Sequence, residues 1–246
     1  MPFDLGPGTA AALAIALLVA AFVRGYSGFG FSAIFIAFSA LLTNPLPLIP
    51  VVFACEMLMT VFQARGIRGQ IDWKRALTLL AGAALALPFS VAFILSIGAE
   101  NARLVVSAIV FVMALVLLSG WTLKRRIGTP GNLAVGVASG MANGAGVGGL
   151  PVAASLAAQP IPAQVFRATM IVYLTGVDLM TMPLLWMGGL VTWDTAIGLA
   201  MAFPILGLGV YLGGQRFLST SPDNFRRFAV ILLLVLSALG LMRAAF

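Results

Sequence analysis

VRGYSGFGFSAIF, Val23 to Phe35, lies between two strongly apolar runs and decides how the rest of the chain is read. It holds one arginine, three glycines and two serines, too little polarity for a loop in water. A related stretch, SGMANGAGVGGLP, returns at Ser139 to Pro151. Glycines and a charge set inside apolar sequence call for an explanation that the surroundings must supply.

The surroundings are those of a membrane protein. The chain is 61% hydrophobic and 9% charged, with a mean hydropathy of +1.10, whereas soluble domains carry about a quarter charged residues. Apolar segments run at 10–23, 30–42, 46–63, 76–97, 103–121, 132–142, 148–158, 163–187, 195–214 and 226–245. Most approach the roughly 20 residues that cross a bilayer as a helix. The expectation is an all-α polytopic membrane protein with about eight to ten membrane segments and no soluble domain. No basic region precedes the first run, so no cleaved signal peptide is expected. The net charge of +7 sits in short loops and reads as a topology signal, not as nucleic-acid binding. Cys55 is alone, so it forms no internal disulfide, and with no histidine in the chain a metal site or cofactor is not expected.

The segments repeat. Runs 10–23 and 30–42 are short, and so are 132–142 and 148–158; each pair is joined by Gly-rich sequence and followed by three long runs. TNPLPLIP at 43–50 resembles AQPIPAQV at 158–165, IDWK at 71–74 resembles VTWD at 191–194, and ENARLVVSAIVFV at 100–112 resembles DNFRRFAVILLLV at 223–235. The offsets are 115, 120 and 123 residues. Residues 1–122 and 131–246 are read as two repeats joined by a short cytoplasmic linker, 123–130.

Charge orients the halves. Arg65, Arg68, Lys74 and Arg75 mark loop 64–75 as cytoplasmic, and Lys124, Arg125 and Arg126 mark loop 121–131 likewise. The counterpart of 64–75 is 188–194, which has only Asp194 and reads as outside. The counterpart of 98–103 is 215–227, with Arg216, Arg226 and Arg227, and reads as inside. Equivalent loops on opposite sides make an inverted repeat, each half a short broken or re-entrant helix pair plus three long helices. Both termini then lie outside, although Arg243 votes the other way.

This frame gives the opening stretch a purpose. Irregular backbone at membrane depth persists only where protein or a cavity satisfies it. The two Gly-rich junctions connect short helices whose tips are expected to meet near the midplane. The second helix of each pair begins at its glycines, and a helix start presents N–H donors and about half a positive charge to an anion. The expected substrate-binding residues are Arg24, Ser27, Gly28, Gly30 and Ser32 in the first half and Asn143, Gly144, Gly146, Gly148 and Gly149 in the second. Glycine lets a ligand approach the backbone, and a deep arginine points to function. The competing reading is that these glycines serve close helix packing and that Arg24 neutralises Glu56. Glu56 and Asp178, the acids inside long apolar runs, are candidates for proton coupling, or else structural partners of Arg24 or Arg167.

At the same residues the chain resembles the TauE/SafE sulfite exporter family. GYSGFGFSAIF followed by NPLP, and GMANGAGVGGLP followed by QPIPAQVFRATM, are similar to the family's two halves. The resemblance covers essentially the whole chain and falls on Gly28, Gly30, Gly144, Gly146, Gly148 and Gly149; Phe29 and Phe31 interrupt the usual glycine run. It implies a multi-pass protein of the bacterial inner membrane that moves sulfite, thiosulfate or a short organosulfonate such as sulfoacetate, as a secondary transporter and exporter. Expected partners are the anion, the lipid bilayer, a coupling proton or ion and a second copy in a homodimer. The alternatives are an anion channel or a small-carboxylate transporter of the same architecture. An intramembrane enzyme is not expected: there is no histidine for a Ser–His dyad, and the two deep acids do not match between repeats.

Overall fold

The structure, a computed structural model, describes Phe3, residues 5–217 and five scattered positions between 231 and 242. The expected last segment, with Arg226, Arg227 and Arg243, lies outside the described residues, as do Asp4 and the side chain of Arg216.

The described chain is helical. The helices are α1 (Pro7–Ser27), α2 (Phe31–Leu42), α3 (Ile49–Ile67, entered through a 3-10 turn, Leu46–Leu48), α4 (Trp73–Ser96), α5 (Ala99–Leu118), α6 (Thr129–Asn143), α7 (Gly149–Ala157), α8 (Ala163–Met187) and α9 (Trp193–Phe217). Among the described residues six are long and apolar enough to cross a bilayer: α1, α3 with its 3-10 turn, α4, α5, α8 and α9. Helices α2, α6 and α7, of 12, 15 and 9 residues, are shorter. The protein is therefore multi-pass and all-helical.

Local sequence sets the starts. Prolines open α1, α3 and α6, where the missing N–H costs nothing. The Asp72 carboxylate accepts from the Arg75 N–H at 3.1 Å and caps α4. The four tryptophans, all more than half exposed, sit at helix ends. Trp73 and Trp121 lie at one end of the bundle, Trp186 and Trp193 at the other, as in an interfacial aromatic belt.

Two glycine seams build the bundle. On α1 and α9, Ala21 lies beside Gly209 and Tyr26 beside Gly213. On α4 and α6, Ala83 lies beside Gly140 and Ser90 beside Gly144. Residue numbers rise together along each seam, so both pairs are parallel. A Cβ on Gly25 would come 2.6 Å from the Val210 carbonyl oxygen, and one on Gly140 the same distance from that of Ala83. Such backbone-to-backbone approach is how small residues bind helices in lipid, where burial from water supplies little drive.

Between the seams α3 packs against α8. Thr60 and Thr175 meet there, hydroxyl to hydroxyl, at 2.7 Å. They stand 115 residues apart, the offset at which TNPLPLIP matches AQPIPAQV.

The loops collect at two ends. At one end the Phe3 N–H donates to Asp194 (2.9 Å) and the Arg103 guanidinium to the Thr43 carbonyl (3.1 Å). At the other the Asp72 N–H donates to Thr169 (3.1 Å), and the Leu123 N–H to the Ala158 carbonyl (2.6 Å). Loop 68–72 and its sequence counterpart 188–192 thus lie at opposite ends. Arg65, Arg68, Lys74, Arg75, Lys124, Arg125 and Arg126 gather at the second end, called here the basic end.

One element differs from expectation. The first apolar run reads as 10–23, too short to cross, yet α1 extends over 21 residues from Pro7 to Ser27. The sequence ends the run at Arg24 because a charge should break a membrane helix. The helix continues because that charge is neutralised by a residue 32 positions on.

Candidate anion-transport site

Arg24 lies in the last turn of α1 and is fully buried. Its Nη1 donates to Glu56 Oε1 of α3 at 3.1 Å, with the two side chains 0% and 1% exposed. Its Nη2 lies 3.5 Å from Thr60 Oγ1, and the Gln63 amide reaches the Arg24 carbonyl at 3.5 Å. Asp178, from α8 and 0% exposed, stands one turn beyond Thr175 as Glu56 stands one turn before Thr60, so the antiparallel α3–α8 contact brings the two acids to one level, within electrostatic reach of Arg24. The structure therefore joins the one deep arginine of the opening stretch to both deep acids. The pairing with Glu56, weighed in the sequence as the competing reading, is present here. A charge buried at this depth is tolerated because its partner is buried with it.

The first glycine junction follows one turn later. Gly28 ends α1 in the left-handed region (φ 81°), with its N–H on the Arg24 carbonyl at 2.8 Å, the conformation that only glycine adopts without strain. Gly30, also left-handed at φ 90°, starts α2 with no side-chain cap and no acid in the first turn. Ser27 spends its hydroxyl on the backbone, 2.8 Å from the Val23 carbonyl, while Ser32 is buried in the first turn of α2. Arg167 of α8 closes the junction: its Nη2 donates to the Gly25 carbonyl at 2.8 Å and caps the end of α1. A Cβ on Gly28 would fall 2.8 Å from Arg167 Cγ.

The second junction is built differently. Gly146 is left-handed at φ 76°, and α7 begins after Gly148, again with no side-chain cap and no acid in its first turn. Asn143, at the end of α6, donates to Thr181 Oγ1 at 2.8 Å. Tyr173 donates to Ser139 at 2.6 Å, and Ser139 in turn donates to the Gly148 carbonyl. Three glycines here are also close-packed, Gly144 on Ser90, Gly148 on the Asn143 side chain and Gly149 on Leu174.

Contacts with α8 relate the two junctions. Gly28 packs on Arg167, and Gly149 packs on Leu174, two turns further along the same helix and next to Thr175. Gly146 packs on Ile36 of α2 and on Ile49 of α3.

Sequence reading named Arg167 only as a possible partner of Glu56 or Asp178, and missed Thr60, Thr175, Ser139, Tyr173 and Thr181 as parts of this region. Thr60 and Thr175 were within reach, since the 115-residue offset aligns them. The others pair only through the fold.

No curated protein and no solved structure matches the chain. The model of the sulfite exporter TauE/SafE family matches residues 13–240, a span that takes in both junctions, the buried cluster and both glycine seams. The chain belongs to the sulfite exporter TauE/SafE family, a family of membrane transporters.

Proposed function

We propose that the protein is a secondary transporter, working as an exporter, of a small sulfur-containing anion such as sulfite, thiosulfate or a short organosulfonate. The observation that carries this reading is the matched pair of helix starts. Helices α2 and α7 each begin at a glycine, uncapped and without acid in the first turn. The first N–H groups of a helix have no intrahelical partner, and the dipole adds about half a positive charge; at α7 the Leu150 N–H is taken by the Val147 carbonyl at 3.2 Å and Pro151 has none, which leaves the Gly148 and Gly149 N–H groups as its donors. A compact oxyanion can take several such donors at once, whereas a planar carboxylate uses fewer. Gly28, Gly30, Gly144, Gly146, Gly148 and Gly149, with Ser27, Ser32 and Asn143, shape these two stations. Arg24 lies one turn before the first of them.

Loops 68–72 and 188–192 at opposite ends support reading the two halves as an inverted repeat. The basic end supports a cytoplasmic orientation in a bacterial inner membrane. Binding by dipoles, not by several full charges, suits a site that must release its ligand.

A thermal-shift screen of the purified protein against sulfite, thiosulfate, sulfoacetate, sulfate and acetate tests the substrate class. The sulfur oxyanions are expected to raise the melting temperature in a saturable way, and acetate is not. Stabilisation by acetate alone would replace this reading with a carboxylate transporter.

A further inference from the structure

The costliest feature of the bundle is the Arg24–Glu56–Asp178 cluster. Arg24 meets one oxygen of Glu56. Glu56 Oε2 and both oxygens of Asp178 are sealed from solvent and have no hydrogen-bond donor among the described residues. Within this trio two carboxylates face one guanidinium, with the Arg167 charge further off on the Gly25 carbonyl, and three oxygens accept nothing. Buried polar groups in that condition are strongly unfavourable.

The neighbours do not relieve it. On α3, Thr60 is engaged with Thr175 and the Glu56 carbonyl, and Cys55 is a buried thiol. On α8, Tyr173 donates to Ser139, and Arg167 is turned to the Gly25 carbonyl. Helix α2 has no ionisable side chain. Asp194 of α9 holds Phe3 at the far end, Tyr211 of α9 is exposed, and Arg75 of α4 sits on Asp72. One proton would cure both defects: it removes the excess charge and supplies the missing donor between two adjacent carboxyls. A sodium ion fits less well, since it needs several oxygen ligands at once and would sit beside a guanidinium.

We propose that Glu56 and Asp178 share one exchangeable proton opposite Arg24, and that this proton crosses the membrane together with the anion. With the proton bound, the trio is neutral and an anion can pass from one helix start to the other. With the proton lost, the trio carries −1 and repels it. The bound proton follows from the cluster alone; its coupling rests on the anion-transport reading.

Two measurements separate these parts. Infrared spectra of the wild-type protein in lipid at neutral pH should show the C=O stretch of a protonated carboxyl, shifting in heavy water. The band should vanish in Asp178→Asn and in Glu56→Gln, because the remaining acid then pairs with Arg24 as a carboxylate. Absence of the band in the wild type overturns the shared proton, whatever the variants do. In proteoliposomes free of sodium and loaded with a pH-sensitive dye, thiosulfate or sulfoacetate, both fully ionised, should acidify the interior as they enter. An acid-outside gradient of one pH unit should raise the initial uptake rate by up to about tenfold, the change in proton concentration. In Asp178→Asn the ratio of rates with and without the gradient should fall to one. Uptake that ignores the gradient, drives protons the other way or requires sodium overturns the coupling. If neither anion nor sulfite moves in the wild type, the transport reading fails instead, and the infrared result still decides the proton.

Discussion

Arg24 shows how one residue can hold both a helix and a site. Its charge permits α1 to run on to Ser27 only because Glu56 stands against it at 3.1 Å. Removing one member of a buried pair leaves the other uncompensated, typically at about 3–5 kcal/mol, whereas removing both is much milder. Arg24→Gln is therefore expected to lower the melting temperature sharply, Glu56→Gln less so because Asp178 remains to pair with Arg24, and the double variant to recover most of the Arg24→Gln loss. Thermal unfolding of the three purified proteins in one detergent checks this. If the double variant restores anion binding as well, Arg24 acts on the substrate only through Glu56; if stability returns and binding does not, Arg24 touches the anion. Gly30 is the other informative position. A Cβ there would meet Val23 Cγ1 at 3.4 Å, so space exists, but the φ of 90° makes alanine strained by roughly 1–2 kcal/mol.

The elements rest on the two parallel seams, and these differ from the junction glycines in kind. Gly25→Ala would push its Cβ to 2.6 Å from a main-chain oxygen of α9. Neither backbone can yield without separating the helices, so a loss of roughly 1–3 kcal/mol is expected. Gly207→Ala, with nothing within 4 Å of its Cβ, should be neutral or slightly stabilising. Comparing the two melting temperatures tests whether close approach, and not glycine as such, holds α1 to α9. Much of this level was legible in the sequence. The apolar runs located nine helices among the described residues, and the glycine clusters located the starts of α2 and α7. The length of α1 was not legible, because the partner that neutralises Arg24 lies on another helix. Arg167 was offered an acid as partner for a related reason: the partner it has, the Gly25 main-chain carbonyl, leaves no mark on side-chain pattern.

For the whole molecule the governing asymmetry is charge. Seven of the eight basic side chains from Arg65 to Arg126 gather at one end, while Arg103 lies at the other with Glu100 and Asp194. The basic end is expected to face the cytoplasm. Cys55 is fully buried, so exposed single cysteines report cleanly. A periplasm-side, membrane-impermeant thiol reagent should label Thr192→Cys and spare Gln70→Cys in intact cells; the reverse pattern would invert the assignment. The same orientation points α2 from its glycine start toward the outside and α7 from its glycine start toward the cytoplasm. The most direct measurement is the initial rate of sulfite and thiosulfate flux in proteoliposomes bearing the wild type or Gly30→Ala. A saturable flux in the wild type, falling at least about tenfold in a Gly30→Ala protein whose melting temperature shows it folded, is the predicted result, because relief of the strained φ turns the first N–H groups of α2 away from the anion, and each charge-assisted hydrogen bond so lost is worth roughly 1.5–3 kcal/mol. Equal flux through the two proteins would show that the helix starts do not hold the anion.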